Sequence, residues 1–138
     1  MSDDILSQEV FTIDTGAGVL KEVKIEPLPL FSENHPMLGK AIPEYTQALP
    51  NPNMNTLVKR LKMTMKQYAG LGLSANQCGV FERVFVIGSE HFQFACINPK
   101  IVEKSAEMEK DNEGCLSYPA LYLKIERPSW IMASFYNE

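Results

Sequence analysis

Histidine is the scarcest chemistry-bearing residue in this chain: there are 2 in 138, His35 and His91. Their separation excludes His-Glu-x-x-His, the pattern that sets two imidazoles on one helix face around a metal ion, with the glutamate between them as base. On their own, both read as surface or loop histidines. Cysteine is nearly as rare. The 3 thiols, Cys78, Cys96 and Cys115, are odd in number and form no C-x-x-C pair. That argues against a disulfide framework and against a self-contained structural zinc site, and it fits a reducing compartment. Basic residues are outnumbered, 13 Lys and Arg against 17 Asp and Glu, for a net charge of -4. No basic surplus is available for nucleic-acid phosphates. No apolar run approaches membrane-spanning length, and Met1-Ser2-Asp3-Asp4 is acidic where a signal peptide would be basic. A cytoplasmic protein is expected, with neither nucleic acid nor membrane as partner. The chain shows no internal repeat and no low-complexity segment.

What is present is an ordinary globular composition, 45% hydrophobic and 22% charged, at a length that suits one domain. Val10-Phe11-Thr12-Ile13 and Val19 to Ile25 flank Asp14-Thr15-Gly16-Ala17-Gly18, which reads as a hairpin. Pro27 and Pro29 then hold the backbone extended, and residues 31–53, rich in proline and asparagine, read as loop. Residues 54–69 give the clearest helix, with Met54, Leu57, Val58, Leu61, Met65 and Tyr68 on one face and Lys59, Arg60, Lys62 and Lys66 on the other. Asn53 or Asn55 is the expected N-cap and Gly70 the C-terminal glycine. Core packing explains the methionine stripe.

Strands follow. Val84-Phe85-Val86-Ile87 reads as a buried strand, Phe92 to Ile97 as a second, and Ile101-Val102 as the start of a third. The charged stretch Glu103 to Glu113 reads as a solvated connection or hairpin tip. Leu121, Leu123 and Ile125, alternating with polar neighbours, read as a half-buried strand, and Trp130 to Tyr136 as one more. The fold class is therefore α+β, mainly antiparallel strands packed on a helix. The final apolar strand stops at Asn137-Glu138 with no return strand, so the sequence reads as cut at a hairpin.

Two stretches carry the functional argument: Gly70-Leu71-Gly72-Leu73-Ser74-Ala75-Asn76-Gln77 and Glu113-Gly114-Cys115-Leu116-Ser117. Two glycines two apart let a backbone lie against a ligand, and Gln77 ends that run with an amide that both donates and accepts. Taken alone, Cys115 reads as a small buried residue and Gln77 as a loop-end glutamine. Together, in this order and spacing, the stretches resemble the first two motifs of the peptide deformylases, metal-dependent enzymes that remove the formyl group from new N-termini. Ser74, Asn76 and Cys78 depart from the common pattern at small or tolerant positions. The resemblance extends to His35-Pro36-Met37-Leu38-Gly39-Lys40-Ala41-Ile42-Pro43 and to Ile97-Asn98-Pro99. It leaves residues 1–28 as an N-terminal extension and 29–138 as the family domain.

The resemblance implies a role for each matching residue. Cys115 would be a ligand of a divalent ion, Fe(II) foremost, with nickel or zinc able to replace it. Gln77 and the Leu116 N–H would hold the oxyanion. Leu71, Gly72, Glu113 and Gly114 would bind substrate, Gly72 by pairing with the peptide as an added strand. The substrates would be N-formylmethionyl peptides or nascent chains. The third motif of the family, the histidine helix, is missing, and in family order it would follow residue 138. The resemblance therefore implies a shortened deformylase; short chains without a long tail beyond the histidine helix occur among virus-encoded deformylases, so a viral source acting in a host cytoplasm is one expectation. This shortened chain would be inactive alone unless a complementing chain supplies the helix, or else a fragment that retains peptide binding without turnover.

Overall fold

The computed structural model describes residues 10–14 and 20–138. Strands β1 (Val10–Asp14) and β2 (Leu20–Lys24) pair antiparallel, with Val10 opposite Lys24. The turn expected between them lies outside the described residues, as does the acidic N-terminus.

Helix α1 spans Pro52–Gln67. It starts two residues earlier than its hydrophobic period suggests, because Pro52 occupies its first turn, where a missing N–H costs nothing. The cap is Asn51, not Asn53 or Asn55. Its side-chain oxygen accepts from the N–H groups of Asn53 (2.9 Å) and Met54 (3.4 Å). At the other end the left-handed position falls on Ala69 (φ 52°) rather than on Gly70. Gly70 N donates to Met65 O (2.9 Å) and Ala69 N to Lys66 O (3.1 Å), the paired reverse bonds that close a helix. Gly70 meets Leu116 instead: a Cβ there would sit 2.6 Å from Leu116 Cδ1 and make that side chain shift.

The apolar face of α1 forms the core. Met54, Val58, Leu61 and Met65 are buried against Leu73, Val84, Val86, Ala95 and Ile97. Each such side chain removed from water contributes about 1.5–3 kcal/mol. Tyr68, the last residue of the expected stripe, is exposed instead. Thr64 also lies on the buried face. Its hydroxyl accepts from Leu28 N and donates to Leu28 O, both at 2.8 Å, fixing the entering segment to the helix.

The sheet beside α1 is built of β3 (Gly72–Ser74), β4 (Val84–Ser89), β5 (Phe92–Lys104) and β8 (Ile131–Tyr136), in that order and antiparallel throughout, with α1 against its β3–β4 side. β3 and β8 are the edges. The fold is thus α+β, and α1 is the single α-helix among the described residues. The strands expected near 92 and 101 form one, β5, which carries register shifts between Ile97 and Lys100 and between Ile101 and Glu103. Asn98, at φ 50°, accommodates the first irregularity.

Strands β6 (Met108–Cys115) and β7 (Tyr118–Pro128) form a separate antiparallel ribbon. Of the charged stretch expected to be a solvated connection or hairpin tip, residues 105–107 are the connection between β5 and β6, while 108–113 belong to the strand β6. Its polar side chains face solvent on both sides, so no period-2 hydrophobic signal marks it. β7 is likewise not half-buried: Leu121 and Leu123 are exposed and only Ile125 is partly covered. Every residue of β8 is exposed as well.

Candidate active site

Gln77 is set by a short 3-10 turn, Ala75–Cys78, that follows β3 directly. Its Oε1 accepts the Ser74 N–H at 2.9 Å. That backbone donor needs an acceptor, so the amide orientation is determined: oxygen toward Ser74, NH2 toward the second segment. Nε2 donates to Ser117 Oγ at 3.0 Å and approaches Cys115 Sγ at 3.5 Å. Two segments separated by 38 residues meet at this amide.

Leu116 makes a second connection. Its side chain packs on the core and occupies the space that a Cβ on Gly70 would need. The turn is held from below by this apolar plug and from the side by Ser117, which is 4% exposed. A further prop lies behind the 3-10 turn. Phe31 N donates to Gln77 O at 2.8 Å, and the Phe31 ring fills the place where a Cβ on Gly79 (φ 76°) would project.

Cys115 is exposed, unlike the buried residue its local context suggests. Cys78 and Cys96 are buried. Burial pushes the Cys78 thiol up to about 11, opposed by the nearby Arg60 charge, and burial raises Cys96 too. Neither is poised as a thiolate.

The other residues that the resemblance points to, Leu71, Gly72, Glu113 and Gly114, lie on the same two segments. Leu71 is 77% exposed, and its carbonyl accepts from Gly88 N at 3.0 Å. Gly72 pairs with Ile87 on one side only, because β3 is an edge strand. Gly114 lies beneath the Tyr122 ring, which a Cβ would meet at 2.8 Å. Glu113 is engaged in a bidentate pair with Arg127, Nη2 to Oε2 at 2.6 Å. Arg127 holds the Glu113 carboxyl below its ordinary range by this hydrogen bond, with the charge adding to it. Sequence reasoning assigned no role to Ser117 or Arg127. Ser117 stands inside a motif, but its partner is 40 residues away. Arg127 carried no signal beyond an alternating strand.

His35 and His91 are not part of the site. His35 Nδ1 accepts from Met37 N at 3.2 Å, capping the 3-10 turn Pro36–Gly39. A divalent ion in a catalytic site takes about three protein donors. Among the described residues no group of three or more His, Cys, Asp or Glu could hold one. At Cys115 the neighbouring amide presents N–H, which repels a cation. These residues alone do not fit a complete ion site. No described helix is long and apolar enough to cross a membrane.

A family model described as Polypeptide deformylase matches residues 27–138. A peptide deformylase of Agathobacter rectalis is 37% identical over 106 residues, covering 77% of this chain and 65% of that protein. One from Thermotoga maritima is 39% identical over 85 residues, covering 62% of this chain and 52% of the relative. The chain thus spans between about half and two-thirds of these curated relatives. Among solved structures, peptide deformylase from Thermotoga maritima superposes with a TM-score of 0.76 at 33% identity, covering 80% of this chain and 74% of that one. A probable peptide deformylase from Synechococcus phage S-SSM7 gives 0.74 at 30% identity, covering 80% and 76%.

Proposed function

The chain belongs to the polypeptide deformylase family, and from that premise we propose that its two joined segments bind an N-formylmethionyl peptide and hold the oxyanion formed as the formyl group is hydrolysed. The observation that carries this reading is the position of Gln77 Nε2, 3.0 Å from Ser117 Oγ and 3.5 Å from Cys115 Sγ.

Hydrolysis adds water to the formyl carbon, passes through a tetrahedral oxyanion and breaks the C–N bond, giving formate and a free amine. Gln77 Nε2 carries two protons. One bonds Ser117; the other is directed to the Cys115 side, where the oxyanion would accept it together with the Leu116 N–H. Ser74 holds the far end of the same amide, so this donor needs no reorganisation as charge develops. One such donor is worth about 10²–10³ in rate. The open edge of β3 at Gly72 suits an extended peptide added as a strand, with Leu71 beside it. Activation of the water is assigned to none of the described residues. Cys115 is the one matching candidate for a ligand to the divalent ion that the resemblance implies.

The absence of a three-donor group among the described residues favours a second reading, in which these 138 residues bind the peptide without turning it over. One experiment separates the two. N-formyl-Met-Ala-Ser is titrated anaerobically into the 15N-labelled chain, with and without Fe(II), while formate is assayed. Shifts at the Gln77 side-chain amide and Gly72 with formate release establish the hydrolase. The same shifts without formate establish the binding reading. No shift at millimolar peptide overturns both.

A further inference from the structure

The Glu113–Arg127 pair stands apart from the contacts that join the two segments at Gln77. Both carboxylate oxygens of Glu113 are taken by one guanidinium. In register Glu113 faces Leu123, whereas Arg127 faces Glu109. Four register positions are about 13 Å of straight ribbon, so the pair runs along the β6–β7 ribbon rather than across it. It links the far end of β7 to the residue two before Cys115. Beside Cys115 the ladder is broken: the register steps from Gly114 opposite Tyr122 to Cys115 opposite Tyr118, which leaves residues 119–121 of β7 as a bulge across from the Gly114–Cys115 step. A bulge disrupts the ladder locally, so side-chain contacts on either side carry more of the turn's position. Downstream, Ser117 is held by Gln77. Upstream, no other side-chain hydrogen bond of the described residues reaches Glu113.

We propose that Arg127 is a positioning residue for the Cys115–Leu116 turn, acting through Glu113. The proposal rests on the functional reading above only for what the turn does, namely present a thiol and a backbone donor to substrate. Glu113 is then a brace beside the substrate site, with both its oxygens committed. The fork of arginine suits this role, because two parallel bonds fix direction as well as distance, which the point charge of lysine does not. The pair is exposed, 64% at Arg127 and 35% at Glu113. Exposed pairs contribute little to global stability, so its effect is local.

The test compares Arg127→Ala and Arg127→Lys with the parent chain by 15N relaxation and by iodoacetamide labelling of Cys115 at fixed pH. With Arg127→Ala, order parameters at Gly114–Ser117 should fall from about 0.85 toward 0.6 or below. Those of α1 should stay unchanged, and Cys115 should label at least about twofold faster. Arg127→Lys should lie between, and about 1 M salt, which screens exposed charge, should move the parent the same way. Unchanged order parameters at 114–117 would overturn the proposal, as would an equal loss throughout α1. Neither readout requires turnover. A chain that fails to bind formyl peptide but loosens at 114–117 refutes the functional reading and leaves this inference standing.

Discussion

Thr64 offers the sharpest test of how the site is supported. Its hydroxyl satisfies both backbone groups of Leu28, accepting from N and donating to O at 2.8 Å each. Thr64 is 0% exposed and Leu28 7%. Thr64→Val keeps the shape and β-branching and exchanges the hydroxyl for a methyl. Helix propensity is nearly the same for the two residues, so the change isolates the polar contacts. Two buried backbone groups lose their partners, at about 1–3 kcal/mol each. The added methyl returns about 0.8 kcal/mol if it packs. The expected net loss is about 1–5 kcal/mol, read from urea unfolding of the full chain as a lower midpoint at constant m. Thr64→Ser keeps the hydroxyl and removes one methyl, and should cost about 1 kcal/mol. A Val variant within about 0.5 kcal/mol of the parent, or a Ser variant worse than Val, would refute the reasoning. The consequence reaches the site because three residues after Leu28 the same segment donates from Phe31 N to Gln77 O.

Gly79→Ala places a Cβ 2.1 Å from the Phe31 ring at φ 76°. The left-handed conformation alone costs about 1–2 kcal/mol and the displaced ring adds about 1–3, so a loss of about 2–5 kcal/mol is expected in urea unfolding, with shifted Gln77 resonances. The three thiols should separate under iodoacetamide: Cys115 labels in the folded chain, while the buried Cys78, raised to about 11, and the buried Cys96 wait for unfolding. Rapid folded-state labelling of Cys78, read by mass spectrometry, would contradict its burial. The Glu113 carboxyl, held low chiefly by its hydrogen bond from Arg127, contributes stability that is present above the ordinary carboxylate range and lost as pH falls through its folded value. A 13C carboxyl titration should therefore place its midpoint below that of Glu113 in Arg127→Ala, and coincident midpoints would refute the pairing.

How much of this was legible beforehand follows from which contacts are local. The face of α1 was, because Met54, Val58, Leu61 and Met65 repeat at helical spacing and all four are buried. Its cap was missed by two residues, since Asn51, Asn53 and Asn55 compete and only the proline between the first two decides among them. Gly70 was assigned to the helix end, yet Ala69 takes the left-handed position; the glycine answers to Leu116, 46 positions on, which no local rule reveals. β6 escaped because a strand wet on both faces lacks hydrophobic alternation, and its logic lies in a register that pairs Lys110 with Glu126. The site divides the same way. Gln77 and Cys115 were found through the order and spacing of two motifs that resemble a known family, not through the chemistry of either residue alone. Ser117 and Arg127 act across 40 and 14 residues. Their contacts exist only once the ribbon is folded against the 3-10 turn, so motif order in the sequence points to Gln77 and Cys115, and the tertiary register shows what holds them.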